Sequence, residues 1–146
     1  MLHGYLSRKE SFAWQIKIFS RYYRVIAPDM TGFGENEGMS YPYSLDDYAD
    51  EIIKLVGELK IKKYDLLAHS FGARVAVKIA NRDERVDRIV FTGAAGLKPR
   101  RGLKYLFKRA SFLLLKRLVP REKLARFYSS DYRSLTPVMK ESFKKI

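Results

Sequence analysis

Near the middle of the chain the residues Leu66 to Gly72 read LLAHSFG. Ser70 stands there between an apolar run and a series of small residues. A serine hydroxyl on a tight turn can attack a carbonyl carbon, provided a general base removes its proton and nearby N–H groups receive the developing oxyanion. The same residue type also caps helices by accepting a hydrogen bond from the backbone two or three residues on. From LLAHSFG alone both roles stay open. The base is the scarcer ingredient, because the 146 residues contain two histidines, His3 and His69, and no cysteine. Thiolate chemistry, a disulfide framework and a cysteine-based metal site are excluded on that count.

The elements that must present Ser70 can be read from the surrounding pattern. Residues 64–68 form a short apolar run that predicts a buried strand. Residues 71–81 alternate small and branched side chains at helical spacing. Ser70 therefore falls on a strand-to-helix turn, at the carboxyl end of the strands, where parallel α/β sheets bind ligands. Such a turn needs small neighbours, and Ala68 and Gly72 flank the serine at two residues on either side. It also aims the N–H of Phe71 from a helix N-terminus toward the place where an oxyanion would form.

Other elements follow the same scheme. Residues 9–23 place Phe12, Ile16 and Phe19 at helical spacing, and residues 24–29 are a β-branched run ending in Pro28 and Asp29. Residues 31–42 are a loop. Ser44, with Asp47 three residues later, opens a helix whose apolar face is Leu45, Tyr48, Ile52, Leu55, Val56 and Leu59. Residues 86–92 predict a further strand. Strands alternating with helices through short links imply an α/β class with a parallel sheet and crossover helices. Asp83, Glu84 and Asp87 fall at the opposite end of that sheet and are expected to be surface charges.

Past residue 97 the strand signals stop. Residues 101–118, 121–129 and 135–146 predict helices, separated at Pro120 and near Pro137. The charge changes at the same place. Residues 1–97 carry 14 Lys/Arg against 13 Asp/Glu, and residues 98–146 carry 15 against 3, within a net charge of +13. We expect two parts: a core over 1–97 and a basic helical cap over 98–146. The basic, leucine-rich stretch 98–126 has three readings. It is a solvated cap, an anionic membrane surface contact, or, with least support, a nucleic-acid contact. No run approaches the ~20 apolar residues of a membrane span, and no signal peptide is evident, so a cytoplasmic location is the default expectation.

Three motifs in order now carry a resemblance. They are His3-Gly4 at the start, Asp29-Met30-Thr31-Gly32-Phe33-Gly34 after a predicted strand, and Ala68-His69-Ser70-Phe71-Gly72. Together they resemble the α/β-hydrolase superfamily, which has an HG turn, a D-x-x-G-x-G loop and a G-x-S-x-G nucleophile elbow on successive strands. Ala68 departs from the first elbow glycine but is small enough for the turn. The resemblance implies an α/β-hydrolase fold fragment with the start of a helical cap. It implies Ser70 as nucleophile and the N–H groups of Tyr5 and Phe71 as oxyanion hole. Gly4 would allow close approach, and His3 would be a structural residue beside the hole. No cofactor and no metal are implied. The expected substrate is a small ester-like or other acyl compound with a hydrophobic portion. The family's order is nucleophile, acid, histidine. No histidine follows Ser70, so the expectation is an incomplete chain that lacks the catalytic Asp and His and is inactive alone. The alternative is a non-catalytic interaction or membrane-surface protein on a hydrolase scaffold. A nucleotide loop at residues 31–38 is disfavoured, because its glycines are spaced G-x-G-x-x-x-G and Glu35 and Glu37 would repel a pyrophosphate.

Overall fold

The computed structural model describes residues 1–96, 102, 105, 107, 109–111 and 135–146. Two strands run parallel: β1 (Tyr64–His69) and β2 (Val86–Thr92). Their register pairs Leu66 with Ile89 and His69 with Thr92. On the other side of β1, Leu2 makes a parallel bridge to Ala68, with its N–H donating to Leu67 O at 2.8 Å and its carbonyl accepting from His69 N at 2.9 Å. Between the strands lies helix α3 (Phe71–Ala80), the crossover that a parallel pair requires. Before β1 comes α2 (Leu45–Glu58), and earlier still a 3₁₀ turn at Lys9–Phe12 and the short α1 (Ala13–Phe19). The last helix is α4 (Pro137–Lys145).

Local chemistry explains several boundaries. Ser44 and Asp47 form a reciprocal capping box at the start of α2, which satisfies two otherwise orphaned backbone donors. Tyr48, Ala49, Ile52 and Val56 then lie on one face of α2, which packs against α3. Together with Leu2, Met30, Phe33, Leu66, Ala68, Val75, Ala76 and Ile79 they make one continuous core. Thr136 caps α4 by accepting from Met139 N at 3.3 Å, and Pro137 fills the first helical position, where its missing N–H costs nothing.

Three expectations change. Residues 24–29, expected as a buried strand, join no ladder among the described residues. The Met1 amino group donates to Ile26 O at 2.6 Å, so this segment runs beside residues 1–3. Pro28 has no N–H to continue a ladder, and Met30 N is spent on a side chain, His3 Nε2. The helix expected over 9–23 is two short pieces, and only Phe12 of its apolar set is buried. Asp83, expected as a surface charge, is 7% exposed. Its carboxylate accepts from Tyr64 Oη at 2.8 Å and from Arg85 Nε and Nη2 at 2.8 Å each.

Contacts divide the chain into two compact units, Met1–Gly96 with Thr136–Ile146, and Leu97–Leu135. Helix α4 thus shares a unit with the strands, although it falls within the 98–146 expected as cap. In the second unit, Ser111 Oγ donates to Phe107 O at 2.9 Å. The helices expected over 101–118 and 121–129, and the basic stretch 98–126, lie outside the described residues apart from 102, 105, 107 and 109–111. Among the described residues no helix is long and apolar enough to cross a membrane.

Candidate functional site

Ser70, on the turn between β1 and α3, is one of three described non-glycine residues with a positive φ, beside Leu6 and Lys60. Ser70 has φ +48° and ψ −109°. A strained conformation of this kind persists only when its surroundings over-determine it. Here they do. Ser70 N donates to Thr92 O at 3.2 Å, and Ser70 O accepts from Ala73 N at 3.2 Å and Ala95 N at 3.0 Å. The side chain makes no capping hydrogen bond to α3, so the helix-cap role left open by the sequence is not the one adopted. The residue is half-buried rather than enclosed.

Small residues make room for this turn. A Cβ added at Gly72 would lie 2.4 Å from Leu2 O and 2.8 Å from His3 O, so the N-terminal segment crosses α3 in direct backbone contact. A Cβ added at Gly4 would lie 3.6 Å from Ser70 Cβ and 3.3 Å from His69 Cδ2. The HG turn and the elbow, 64 or more residues apart in sequence, are thus brought together. Phe71 opens α3, where the first backbone N–H groups have no partner within the helix and the helix dipole is positive. Its ring is buried and contacts those of Tyr5 (5.4 Å) and Tyr48 (5.1 Å) edge-on.

Both imidazoles are committed elsewhere. His3 is fully buried, donates from Nδ1 to Gly4 O at 2.8 Å, and accepts Met30 N–H at Nε2 at 3.0 Å. One neutral tautomer satisfies both bonds. Burial lowers its pKa from the ordinary 6.5, and the Gly4 carbonyl and Asp29 oppose this only in part. His69 is exposed, with Nδ1 2.7 Å from Thr92 O, which makes Nδ1 the donor. Its ring packs against Gly4 and Gly93.

Asp29 does structural work beside this site. Its carboxylate accepts Lys9 N–H at 2.6 Å and Glu35 N–H at 3.1 Å and pairs with Lys9 Nζ at 3.3 Å. Burial pushes its pKa up, but these donors outweigh it and the net shift is downward. Gly34, at φ +57°, leaves the space: a Cβ there would meet the Asp29 carboxylate at 2.4 Å. The Asp and the last Gly of the 29–34 motif therefore form one device that folds the loop against Lys9, while Met30 N ties the same loop to His3. Among the described residues no group of three or more His, Asp and Glu side chains could hold a metal ion.

Sequence reading missed one part of the neighbourhood, the docking of α4 on Tyr5. Tyr5 Oη donates to Met139 O at 3.1 Å, and the Tyr5 and Phe143 rings stand 5.2 Å apart. The helix itself is expected over residues 135–146, but no local pattern could announce its partner 134 residues away.

Comparison with known proteins fits this arrangement. Residues 1–142 match the family model described as alpha/beta hydrolase fold. A 2-hydroxymuconate semialdehyde hydrolase of Pseudomonas sp. (strain CF600) is 36% identical over 102 residues, covering 66% of this chain and 36% of that protein. Among solved structures, a meta-cleavage product hydrolase from Pseudomonas fluorescens IP01 superposes with TM-score 0.63 at 30% identity, over 99% of this chain and 59% of that one. An esterase from Exiguobacterium antarcticum gives TM-score 0.62 at 27% identity, over 66% of this chain and 37% of that one. The chain thus spans only about a third of the length of that curated hydrolase. With its ordered motifs, its parallel strands and its match over nearly every residue, the chain belongs to the α/β-hydrolase fold family.

Proposed function

We propose that the β1–α3 turn is the nucleophile elbow of a serine hydrolase. Ser70 is the nucleophile, and the N–H groups of Tyr5 and Phe71 receive the oxyanion of a tetrahedral intermediate. The observation that carries this reading is the strained backbone of Ser70, tied by three main-chain bonds while its hydroxyl caps nothing. Strain held this firmly, without a structural use for the side chain, favours a chemical use. The first step joins Ser70 Oγ to the carbonyl carbon of a small acyl compound. The hydroxyl proton passes to a base, and the carbonyl electrons move onto the oxyanion. Collapse expels the leaving group and leaves an acyl-serine that water then cleaves. The apolar residues about Tyr5 and Phe71 favour a substrate with a hydrophobic portion. Hydrolases of a semialdehyde and of meta-cleavage products among the relatives point to carbonyl compounds of that class.

The base is the weak link. His3 has both nitrogens engaged, and His69 is tied to Thr92. We infer that these 146 residues by themselves react at Ser70 slowly and turn over esters poorly. The contribution of a base is worth several orders of magnitude, and an oxyanion hole alone leaves a small remainder. This same observation favours a second reading, a hydrolase scaffold used for binding, in which Ser70 would be inert.

Intact-mass detection of labelling by an alkyl fluorophosphonate separates the two. The expected result is slow, single-site labelling that Ser70→Ala abolishes, with short-chain nitrophenyl ester turnover near background. Undiminished labelling in Ser70→Ala overturns the nucleophile assignment. Brisk ester turnover lost in Ser70→Ala overturns the claim that the base is missing.

A further inference from the structure

Tyr5 has a backbone assignment above, but its side chain holds a second one. We propose that the Tyr5 side chain is a positioning group that latches the HG turn to α4 and so sets where the Tyr5 N–H points. This rests on the serine-hydrolase reading of Ser70.

The turn carrying Tyr5 needs an external hold. It follows Gly4 and precedes Leu6, which sits at φ +55°, a region that branched side chains rarely adopt. Within the turn, Ser7 N donates to Gly4 O at 3.2 Å. The ring of Tyr5 adds a hold from outside the turn. Three aromatic rings surround it edge-on, Phe33 at 4.9 Å, Phe143 at 5.2 Å and Phe71 at 5.4 Å. Its hydroxyl donates to Met139 O at 3.1 Å. The side chain is thereby fixed at the ring and at the tip.

Helix α4 is a firm anchor for that tip. Ser142 Oγ donates to Tyr43 O at 2.7 Å, and Lys145 Nζ donates to Pro42 O at 2.8 Å. Ser142 is fully buried. Met139 O, inside the helix, uses its second lone pair for Tyr5. The chain of contacts is continuous: Tyr43 and Pro42 hold α4, α4 holds the Tyr5 hydroxyl, and the Tyr5 ring meets Phe71. Both proposed oxyanion donors belong to residues whose rings touch. Their N–H groups therefore keep a fixed separation as long as the ring of Tyr5 cannot swing. Electrostatic catalysis depends on that constancy, since donors displaced by about 0.5 Å lose much of their effect.

Removing the hydroxyl alone tests the latch. In Tyr5→Phe the ring contacts remain. The expected result is an about tenfold fall in the maximal rate of Ser70 phosphonylation, with the half-saturating reagent concentration unchanged. Deuterium exchange of the peptide spanning residues 4–7 should quicken while that of α2 stays as it is. Ser142→Ala loosens the same anchor from the other side. The double variant should label no slower than the slower single one, because both changes break one coupled unit. Wild-type labelling rates in Tyr5→Phe, or effects of the two changes that multiply, overturn the proposal. A raised half-saturating concentration at constant maximal rate overturns it too, for that marks a reagent contact rather than positioning. If the wild-type chain does not label at Ser70, the hydrolase reading fails by itself. The exchange measurement then decides the latch, and unchanged exchange in Tyr5→Phe refutes it.

Discussion

The elbow region and the α1/β2 surface are built from similar apolar residues and treat them in opposite ways. Around the elbow, Leu2, His3, Ala68, Val75, Ala76 and Ile79 are all but sealed from solvent. Backbone there touches backbone, as Gly72 does against Leu2 and His3. On α1 no residue is buried, with Trp14 72% and Ile18 52% exposed, and on β2 Val90 and Phe91 are about half exposed, at 55% and 45%. The first region is held by a few contacts that only small residues allow. The second contributes its backbone to the fold and leaves most of its large side chains to solvent, with Val86 and Ile89 only partly packed on the core. Geometry capable of chemistry therefore depends on steric permission at particular glycines rather than on the amount of apolar surface. Substitution should expose the difference directly.

The largest effect belongs to Gly72. A Cβ would lie 2.4 Å from Leu2 O and 2.7 Å from Leu2 C, and neither atom can rotate away as a flexible side chain would. Gly72→Ala should cost about 3 kcal/mol or more in urea unfolding, the upper range for overpacking. Gly57, on the exposed side of α2, is the control, since its nearest neighbour is the tip of Arg85 at 3.9 Å. Gly57→Ala should stabilise by about 1 kcal/mol, the helix-propensity difference. Similar costs at the two glycines would remove the distinction between a backbone crossing and an open surface.

Next comes Asp83, at the far end of the sheet from Ser70. Hydrogen bonds from Arg85 lower its pKa, burial opposes them, and Tyr64 adds to the lowering, bringing it from 3.8 to about 2. A folded pKa below the unfolded one means the group stabilises above 3.8 and loses that contribution as pH falls toward about 2. At about pH 7, Asp83→Asn should cost about 2 kcal/mol, since it weakens charge-assisted bonds to a buried partner. At about pH 2 the variant and the parent should unfold at nearly the same urea concentration. A pH-independent gap would mean that packing, not charge, gives Asp83 its weight.

These two residues also mark what a sequence reader can and cannot see. The strand, turn and helix around Ser70 were legible, because a small–serine–small pattern after an apolar run states its local backbone need. So was the Ser44–Asp47 box, whose partners lie three residues apart. The parallel sheet followed from strand–helix–strand order. Asp83 was not legible as a buried group, because Tyr64 and Arg85 become its partners only once β1 and β2 pair. That residues 24–29 join no ladder among the described residues depends on Pro28 and on where the N–H of Met30 goes. The docking of α4 on Tyr5 spans 134 residues and leaves no periodic trace. The spacing of Phe12, Ile16 and Phe19 names a helical face without supplying anything to cover it, and α1 buries none of its residues.

The smallest effects are expected on that uncovered face. Trp14 contributes a cation–π contact with Lys17, whose Nζ lies 5.4 Å from the ring centre, and such exposed contacts are worth about 0.5 kcal/mol. Trp14→Gln should therefore cost about 0.5 kcal/mol or less. Phe91 pairs with Ala68 across the ladder through main-chain atoms, which Phe91→Thr leaves intact with a residue that suits strands. Its cost should also stay within about 0.5 kcal/mol, as for most surface substitutions. Measured against Gly72→Ala in the same urea series, both should be several-fold smaller although each changes far more atoms than the single carbon added at Gly72. A loss of about 2 kcal/mol at either site would show those rings buried in solution, the range expected when an aromatic side chain leaves a core. The two regions would then be packed alike, and the special standing of the backbone crossing under Ser70 would be lost.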